Sequence, residues 1–470
     1  MRLRHLQKVG TVSVVTDGRK RYVLCGLSNR GIATFARPIL GPATARGQDE
    51  TRTSAGFGYG VDGDNYADVA TLVGIVDPDA ERARAFNESQ LRAGLPTIPT
   101  FAPDEFDRML ADTGPEALIV TSPDHTHAEY IEAGVEAGLD VISEKPMTAT
   151  AEQAAGILRI ADRGRIRVSH NLRYTPRHRA VRKLISEGAV GRVLQVTLDY
   201  HVDIRHGASY FVRWNRRRDC SGGLTVHKSC HHLDLINWLI NDLPDQLYAR
   251  GGRNFYGTEG AHRPRDGQGR PISGDQLAEA DPYYRAQHGS GVLPLFGDGV
   301  RTGSGFPYAL QYRTEPPMTI YDSEIDIEDT YSALIGYRGG ASASYSIDFS
   351  SPWEGYRLGI SGTEGRIETS YGHDLQRNPL PGNDAVRLLP LFGPARTIEV
   401  DTGGSGHDGA DPIMRSDLFG TPSEESLRLG LPATVEQAAY AVAAGEAISR
   451  SITSGTVIDI GRLLAAPEHV

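Results

Sequence analysis

Two short runs carry residues suited to proton and charge chemistry. Glu144-Lys145-Pro146 closes the apolar run Leu139-Asp-Val-Ile-Ser143, and Val226-His-Lys-Ser-Cys-His-His-Leu-Asp-Leu235 sets His227 and His231 four residues apart. An imidazole titrates near neutral pH and can take a hydroxyl proton, which makes His231 a candidate base. An ammonium can stabilise an oxygen that gains negative charge, which suits Lys145. Only five of the 49 basic residues are lysine, namely Lys8, Lys20, Lys145, Lys183 and Lys228. Residues four apart share one face of a helix, so His227 would orient the substrate or His231; a packed or capping role is its alternative. The same spacing serves metal ligands, but Lys228, Ser229 and Cys230 supply no Glu where a zinc protease has one, so no metal is expected. Asp234 either orients His231 or serves the helix dipole.

A third run, Gly26-Leu-Ser28-Asn29-Arg30-Gly31, follows the apolar stretch Arg21-Tyr-Val-Leu-Cys25 and precedes Ile32-Ala-Thr-Phe-Ala36. Strand, glycine turn and helix in that order form a dinucleotide turn, with Ser28 where the second glycine would stand. A serine is small enough to let the backbone approach a pyrophosphate, and its hydroxyl could bond it. Asp77 ends the next apolar run, Ala70–Val76. A carboxylate there hydrogen-bonds ribose hydroxyls and repels a 2′-phosphate, which favours NAD over NADP; a turn-forming Asp before Pro78 is the alternative.

These residues need a scaffold, and the hydrophobic pattern supplies one. Strands over 70–76, 116–121 and 139–143 alternate with helices near 79–93, 126–138 and 151–164, the last capped by Thr150. Alternation of this kind builds a parallel sheet with crossover helices. We therefore assign residues 1–150 to a doubly wound NAD-binding domain. Residues 151–470 read as an α+β domain. Strands at 190–202, 331–337, 341–349 and 356–360 point to an open antiparallel sheet, with turns at Arg338-Gly-Gly340 and Gly362-Thr-Glu-Gly365. Helices are expected at 233–239 and 434–451. The Gly- and Tyr-rich stretches 41–68 and 254–318 read as excursions. The fold class is α/β plus α+β.

Composition sets the limits. The 470 residues are 39% hydrophobic and 23% charged, the profile of a globular protein of two or three domains. A net charge of −10 argues against nucleic acid as a partner. No apolar stretch is long enough to span a bilayer. Cys25, Cys220 and Cys230 make no disulfide framework, and no apolar leader opens the chain, so a cytoplasmic location is expected.

Taken in order, these motifs resemble the Gfo/Idh/MocA family of NAD(P)-dependent sugar and polyol oxidoreductases. The match runs from the glycine turn through Ser122-Pro123, His125, His127, Glu144-Lys145-Pro146 and Asn171-Leu-Arg173-Tyr174. It continues through Gly222-Gly223 and His231-His232-Leu-Asp234 to Gly362-Thr-Glu-Gly365. The resemblance implies a Rossmann domain joined to an open sheet that often builds homo-oligomers, with NAD as cofactor. It implies cofactor contacts from Ser122, His127, Glu144, Lys145 and Asn171. It also implies that Lys145 and His231 act on one carbinol oxygen of a sugar, sugar derivative or glycoside. His227 departs from the family, which has Asp there. Val226–Leu235, Ile325–Thr330 and Pro352-Trp-Glu-Gly355 look like a longer bacterial subgroup associated with oxidation of sugars or glycosides. Arg173 and Tyr174 could contact substrate hydroxyls or pack between domains. Arg205-His206, Asp326, Trp353 and Tyr356 are further sugar-facing candidates. The resemblance places the polar, Gly-flanked loop His407-Asp-Gly-Ala-Asp411 near the substrate. Some family members instead cleave glycosides by transient oxidation and elimination, and a sensor that binds NAD and sugar without turnover is the remaining alternative.

Overall fold

A computed structural model of the chain describes residues 18–41, 64–272, 276–277, 318–382, 385–400 and 406–465, the side chains of 406–408 excepted. Most of the two excursions read from the sequence lies outside these residues. The described residues divide into two units: unit 1 holds those up to Pro176 together with 406–439, and unit 2 holds the rest.

Unit 1 is built on six strands: β1 (Lys20–Cys25), β2 (Ala70–Val76), β3 (Thr100–Phe101), β4 (Ala117–Val120), β5 (Asp140–Ser143) and β6 (Ile166–Val168). Their order is β3-β2-β1-β4-β5-β6, and every pair is parallel. Val23, Leu24 and Cys25, and all of β4, are fully buried, as strands covered on both faces must be. Local chemistry ends the helices where the strands need them. Asp79 caps Ala80–Arg92 by accepting from Arg82 N at 2.9 Å. Thr150 and Gln153 form a reciprocal capping box on Ala151–Ile160. The expected strands and helices are present within a few residues of their expected ends. The short β3 and β6 and the helix Phe106–Thr113 were not expected. Strands of two and three residues are too short to show a period.

Unit 2 carries a nine-stranded sheet. Its strands are β7 (Val193–Asp203), β8 (Pro244–Gly252), β9 (Thr330–Tyr337), β10 (Ser342–Ser351), β11 (Trp353–Gly362), β12 (Gly365–Asp374), β13 (Ala385–Pro390), β14 (Arg396–Glu399) and β15 (Ile458–Asp459). The order is β14-β13-β12-β11-β7-β10-β9-β8-β15. The expected antiparallel character needs one correction: β7 and β10 run parallel at the centre of the sheet. The chain leaves β7 through helices and returns by the β8–β9–β10 meander, and a crossover of that kind produces a parallel pair. One face is apolar. Tyr331, Ala333, Ile335 and Tyr337 of β9 and Ala343, Tyr345, Ile347 and Phe349 of β10 are buried. Ser332, Leu334 and Gly336 alternate with them and are exposed. The helices Ile204–Phe211 and Cys230–Ile240 pack on this sheet.

Candidate functional site

In unit 1 the polar residues gather where strands end. Gly26 follows β1, Asp77 follows β2, Thr121 follows β4, Glu144 follows β5 and Ser169 follows β6. The sheet order reverses between β1 and β4, and open α/β sheets bind ligands outside the carboxyl ends at such a point. Gly26 has φ +96°, and a Cβ there would lie 2.6 Å from Ser122 Cα, so only glycine lets the turn approach β4. A Cβ on Gly31 would lie 2.4 Å from Thr121 Oγ1. Asp77 is buried and holds the turn: its Oδ2 accepts from Leu27 N at 2.7 Å and its Oδ1 from Asp79 N at 2.9 Å. Arg82 Nε donates to Leu27 O at 2.7 Å from the other side. The Ser28 hydroxyl caps the first helical turn by accepting from Gly31 N at 3.0 Å. That helix opens with i→i+5 turns over Gly31–Ala36.

Glu144 and Lys145 stand at the end of β5. Glu144 Oε1 accepts from Arg30 Nε at 2.8 Å, and its Oε2 accepts from Lys145 N at 3.2 Å. Lys145 is half-buried, and its peptide bond to Pro146 is cis. His127 is 1% exposed, and its two ring nitrogens lie 2.8 Å from the carbonyl oxygens of Pro146 and Ser122. Its ring thus braces the segments that follow β4 and β5, while Ser122 Oγ bonds Thr126 Oγ1 at 2.6 Å.

Residues 407–411, expected as a polar loop, lie in the helix Gly406–Phe419. The side chain of His407 lies outside the described residues. Asp411, which is 2% exposed, accepts from both terminal nitrogens of Arg30 at 2.6 and 3.0 Å and from Asn171 Nδ2 at 3.2 Å. Arg30 therefore joins the glycine turn to β5 and to a helix more than two hundred residues further on. Sequence spacing alone gave Asp411 no partner; its only signal was the polar loop around it. Arg173 is fully buried and donates to Gly430 O and Gln437 Oε1, each at 3.0 Å. Tyr174 is 3% exposed, and burial followed by the Asp417 carboxylate pushes its phenol far above the ordinary range. Both side chains serve packing within unit 1.

The residues present fit a dinucleotide. Gly26 and Gly31 seat the turn against the end of β4, and the helical turn that Ser28 caps begins there. The buried oxygens Asn29 Oδ1, Asn171 Oδ1 and Ser169 Oγ have no hydrogen-bond partner among the described residues, the condition expected where a polar ligand completes the set.

Unit 2 holds the histidines. The helix Leu224–His227 ends at His227, and Cys230–Ile240 begins after a break at Lys228-Ser229. His227 and His231 would share one face only if the segment were a single helix; the break means that it is not. Ser229 N bonds Leu224 O at 3.0 Å, an i→i+5 step that shifts the second helix in phase. His227 Nε2 lies 3.2 Å from Asn215 Nδ2, and its ring meets Tyr210 and half-buried Trp214 edge-on with centroids 5.7 and 5.6 Å away. His231 is 9% exposed and Asp234 is buried. The neighbouring His232 stacks on Tyr200 at 4.0 Å and bonds Tyr345 OH at 2.8 Å, a core role. His206 and Glu354 join this cluster. His206 Nδ1 lies 2.8 and 2.9 Å from the two Glu354 oxygens, and His206 Nε2 lies 2.9 Å from Tyr210 OH. The Lys228 ammonium sits 5.2 Å above the Tyr200 ring. On the other face of the sheet, His201 lies between Asp348 at 2.6 Å and Asp199 at 3.1 Å. Among the described residues no three His, Cys, Asp or Glu side chains are grouped to hold a metal ion, and no helix is long and apolar enough to cross a membrane.

Comparison with known proteins agrees with this division. Residues 31–172 match the model of the oxidoreductase family's NAD-binding Rossmann fold, and residues 182–385 match its C-terminal alpha/beta domain. The chain is 36% identical to the oxidoreductase YteT of Bacillus subtilis (strain 168) over 449 residues, 94% of this chain and 98% of that protein. Inositol 2-dehydrogenase of Rubrobacter xylanophilus is 28% identical over 190 residues, 39% of this chain and 48% of that protein. Levoglucosan dehydrogenase of Pseudarthrobacter phenanthrenivorans is 28% identical over 165 residues, 31% of this chain and 42% of that protein. A solved levoglucosan dehydrogenase in complex with NADH and levoglucosan has the same fold, with TM-score 0.59 and 17% identity over 94% of this chain and 99% of that one. The glycine turn, the strand-end carboxylates and the matched models lead to one conclusion: the chain belongs to the Gfo/Idh/MocA family of oxidoreductases, and unit 1 is its NAD-binding domain.

Proposed function

We propose that this oxidoreductase removes hydride from a secondary alcohol of a sugar, sugar derivative or glycoside, with NAD rather than NADP as acceptor. The observation that carries the substrate class is the partly buried cluster of His206, Tyr210, Trp214, Asn215, His227 and Glu354 in unit 2. Polyhydroxylated rings need several fixed donors and acceptors beside an aromatic edge, and this cluster supplies both. Relatives that act on levoglucosan and inositol support the same class.

When bound, NAD supplies the hydride acceptor. The chain's own groups handle the proton and the charge. His231 takes the hydroxyl proton, and Lys145 stabilises the oxygen as it becomes negative. His227, fixed by Asn215 and by the edges of Tyr210 and Trp214, orients the substrate. Asp77 places carboxylate oxygens at the end of β2, which suits the ribose hydroxyls of NAD and disfavours a 2′-phosphate. The exposed sheet face of unit 2, with Leu334 at 60% and Tyr248 at 38% exposure on paired strands, supports association with a second copy of the chain.

A panel of sugars, polyols and aryl glycosides tests this, offered with NAD and with NADP and followed at the nicotinamide absorbance. The expected result is net reduction of NAD by at least one sugar-like alcohol, with little reduction of NADP. Release of an aglycone with no net reduction would show redox-assisted glycoside cleavage instead.

A further inference from the structure

Arg30 stands in the glycine turn, where an arginine would be expected to reach for the pyrophosphate of a dinucleotide. Its bonds point elsewhere. Nε donates to Glu144 Oε1 at 2.8 Å, while Nη1 and Nη2 donate to Asp411 Oδ2 and Oδ1 at 2.6 and 3.0 Å. The two-pronged contact with Asp411 fixes the plane of the guanidinium as well as its place. Asp411 is held from a second side, since its Oδ1 accepts from Asn171 Nδ2 at 3.2 Å. One cation thus faces two carboxylates, Glu144 and Asp411, which are 7% and 2% exposed. A set in which negative charge outnumbers positive does not attract an anion.

The same bonds lead to Lys145. Glu144 follows β5 and is held by Arg30 through one oxygen; the other, Oε2, accepts from Lys145 N at 3.2 Å. A carboxylate fixed at one oxygen keeps the other in place, so the peptide that carries Lys145 is tied to the guanidinium. The partners come from the glycine turn, the end of β5, the segment after β6 and the helix Gly406–Phe419, all in unit 1. The main chain of Arg30 has φ −63° and ψ −46°, ordinary helical values, so a substitution there leaves the path of the turn alone.

We propose that Arg30 is a positioning residue: clamped by Asp411, it holds Glu144 against the Lys145 peptide, fixes the point from which the Lys145 ammonium acts, and does not pair with the pyrophosphate. This rests on the role of Lys145 in the sugar oxidation proposed above. It makes the helix Gly406–Phe419 part of the machinery that aims Lys145.

The test compares Arg30→Gln and Asp411→Asn with the unaltered protein. Both break the fork, and the second lies outside the turn, so it decides the matter if Arg30→Gln does not fold. Arg30→Gln is expected to lower kcat by about 10- to 100-fold, the scale of a misplaced catalytic group, and Asp411→Asn to follow in the same direction. Affinity for ADP-ribose, which has the pyrophosphate but no nicotinamide, should stay within about threefold in both, less than the loss of one charged hydrogen bond. In the Lys145→Met background neither substitution should lower kcat further, because a residue that acts through Lys145 has nothing left to position. A readout without substrate uses the lysines, of which the chain has five. After reductive carbon-13 methylation, the Lys145 NMR signal is identified by its loss in Lys145→Met. It should move in Arg30→Gln and Asp411→Asn, while the signals of Lys183 and Lys228 stay. The inference is overturned if Arg30→Gln weakens ADP-ribose binding by more than about threefold, as a lost phosphate contact would. It is also overturned if Arg30→Gln lowers kcat by less than about tenfold, too little for a misplaced group. A kcat that falls as far in the Lys145→Met background as in the unaltered one, or a Lys145 signal that stays in place in either variant, overturns it as well. If the unaltered protein reduces NAD with none of the sugars offered, the function reading fails, and the Lys145 signal and the ADP-ribose affinity decide this inference by themselves.

Discussion

Asp77 has two tasks at once. Its oxygens already accept from Leu27 N and Asp79 N, so the carboxylate that is proposed to meet the ribose is also the brace of the glycine turn. A neutral amide cannot do both: in Asp77→Asn one acceptor becomes a donor facing an N–H. That variant is expected to bind NAD at least about tenfold more weakly, on the scale of one charged hydrogen bond, and to narrow the gap between NAD and NADP. Titration of nicotinamide fluorescence with each reduced cofactor measures it, and an unchanged ratio would remove Asp77 from cofactor choice. The roles of Asp77 and Lys145 were suggested by type and position in the sequence, and that of His231 by the family resemblance. Those of Asp411, His206 and Glu354 were not, although each was in view. A carboxylate that pairs with an arginine 381 positions away leaves no local pattern. A glutamate on β11 that meets a histidine on another element is equally silent until the sheet register is known.

At the scale of elements, the helix Gly406–Phe419 is tied to the glycine turn by charge. Arg30 is shared between Asp411 and Glu144, and the three side chains are 13%, 3% and 9% exposed. Asp411→Ala leaves Arg30 paired with Glu144 but removes an acceptor from both Arg30 terminal nitrogens and from Asn171 Nδ2, so it should lower unfolding stability by roughly 1–3 kcal/mol in urea titration. A loss below about 1 kcal/mol would show that the pair behaves as an exposed one. On the sheet of unit 2, the hydrogen bond to Asp348 comes first among the causes that raise the pKa of His201, with the charges of Asp199 and Asp348 adding to it against burial. A folded-state pKa above the unfolded one gives stability that is complete below the unfolded value and lost as pH rises through the folded value. The stability gap between the unaltered protein and His201→Gln should therefore be larger at pH 6 than at pH 9. An equal or larger gap at pH 9 would contradict the assignment. The elements themselves were largely legible, because strands buried on both faces and the half-buried β9 and β10 have opposite periodicities. The parallel pairing of β7 with β10 was not, since it depends on the path of the chain between them.

For the molecule as a whole, the tasks divide by unit: unit 1 is the NAD-binding domain and carries Lys145, and unit 2 carries the histidines and the cluster proposed to face the sugar. The proposed self-association belongs at this scale as well. Leu334 lies on the sheet face that the unit's helices leave open, so Leu334→Arg should reduce the mass of the particle in light scattering while leaving NADH binding intact. A monomeric unaltered protein would refute the association outright. The most direct measurement of the central claim is single-turnover and steady-state reduction of NAD by a sugar substrate in the unaltered enzyme, Lys145→Met and His231→Asn, beside NADH affinity for each. The expected result is one reduced nicotinamide per ketone formed, with kcat strongly lower in Lys145→Met and lower by roughly 10²–10⁴-fold in His231→Asn, whose NADH affinity stays near that of the unaltered enzyme. Turnover in either variant close to that of the unaltered enzyme, or product formed without net reduction of NAD, would contradict it.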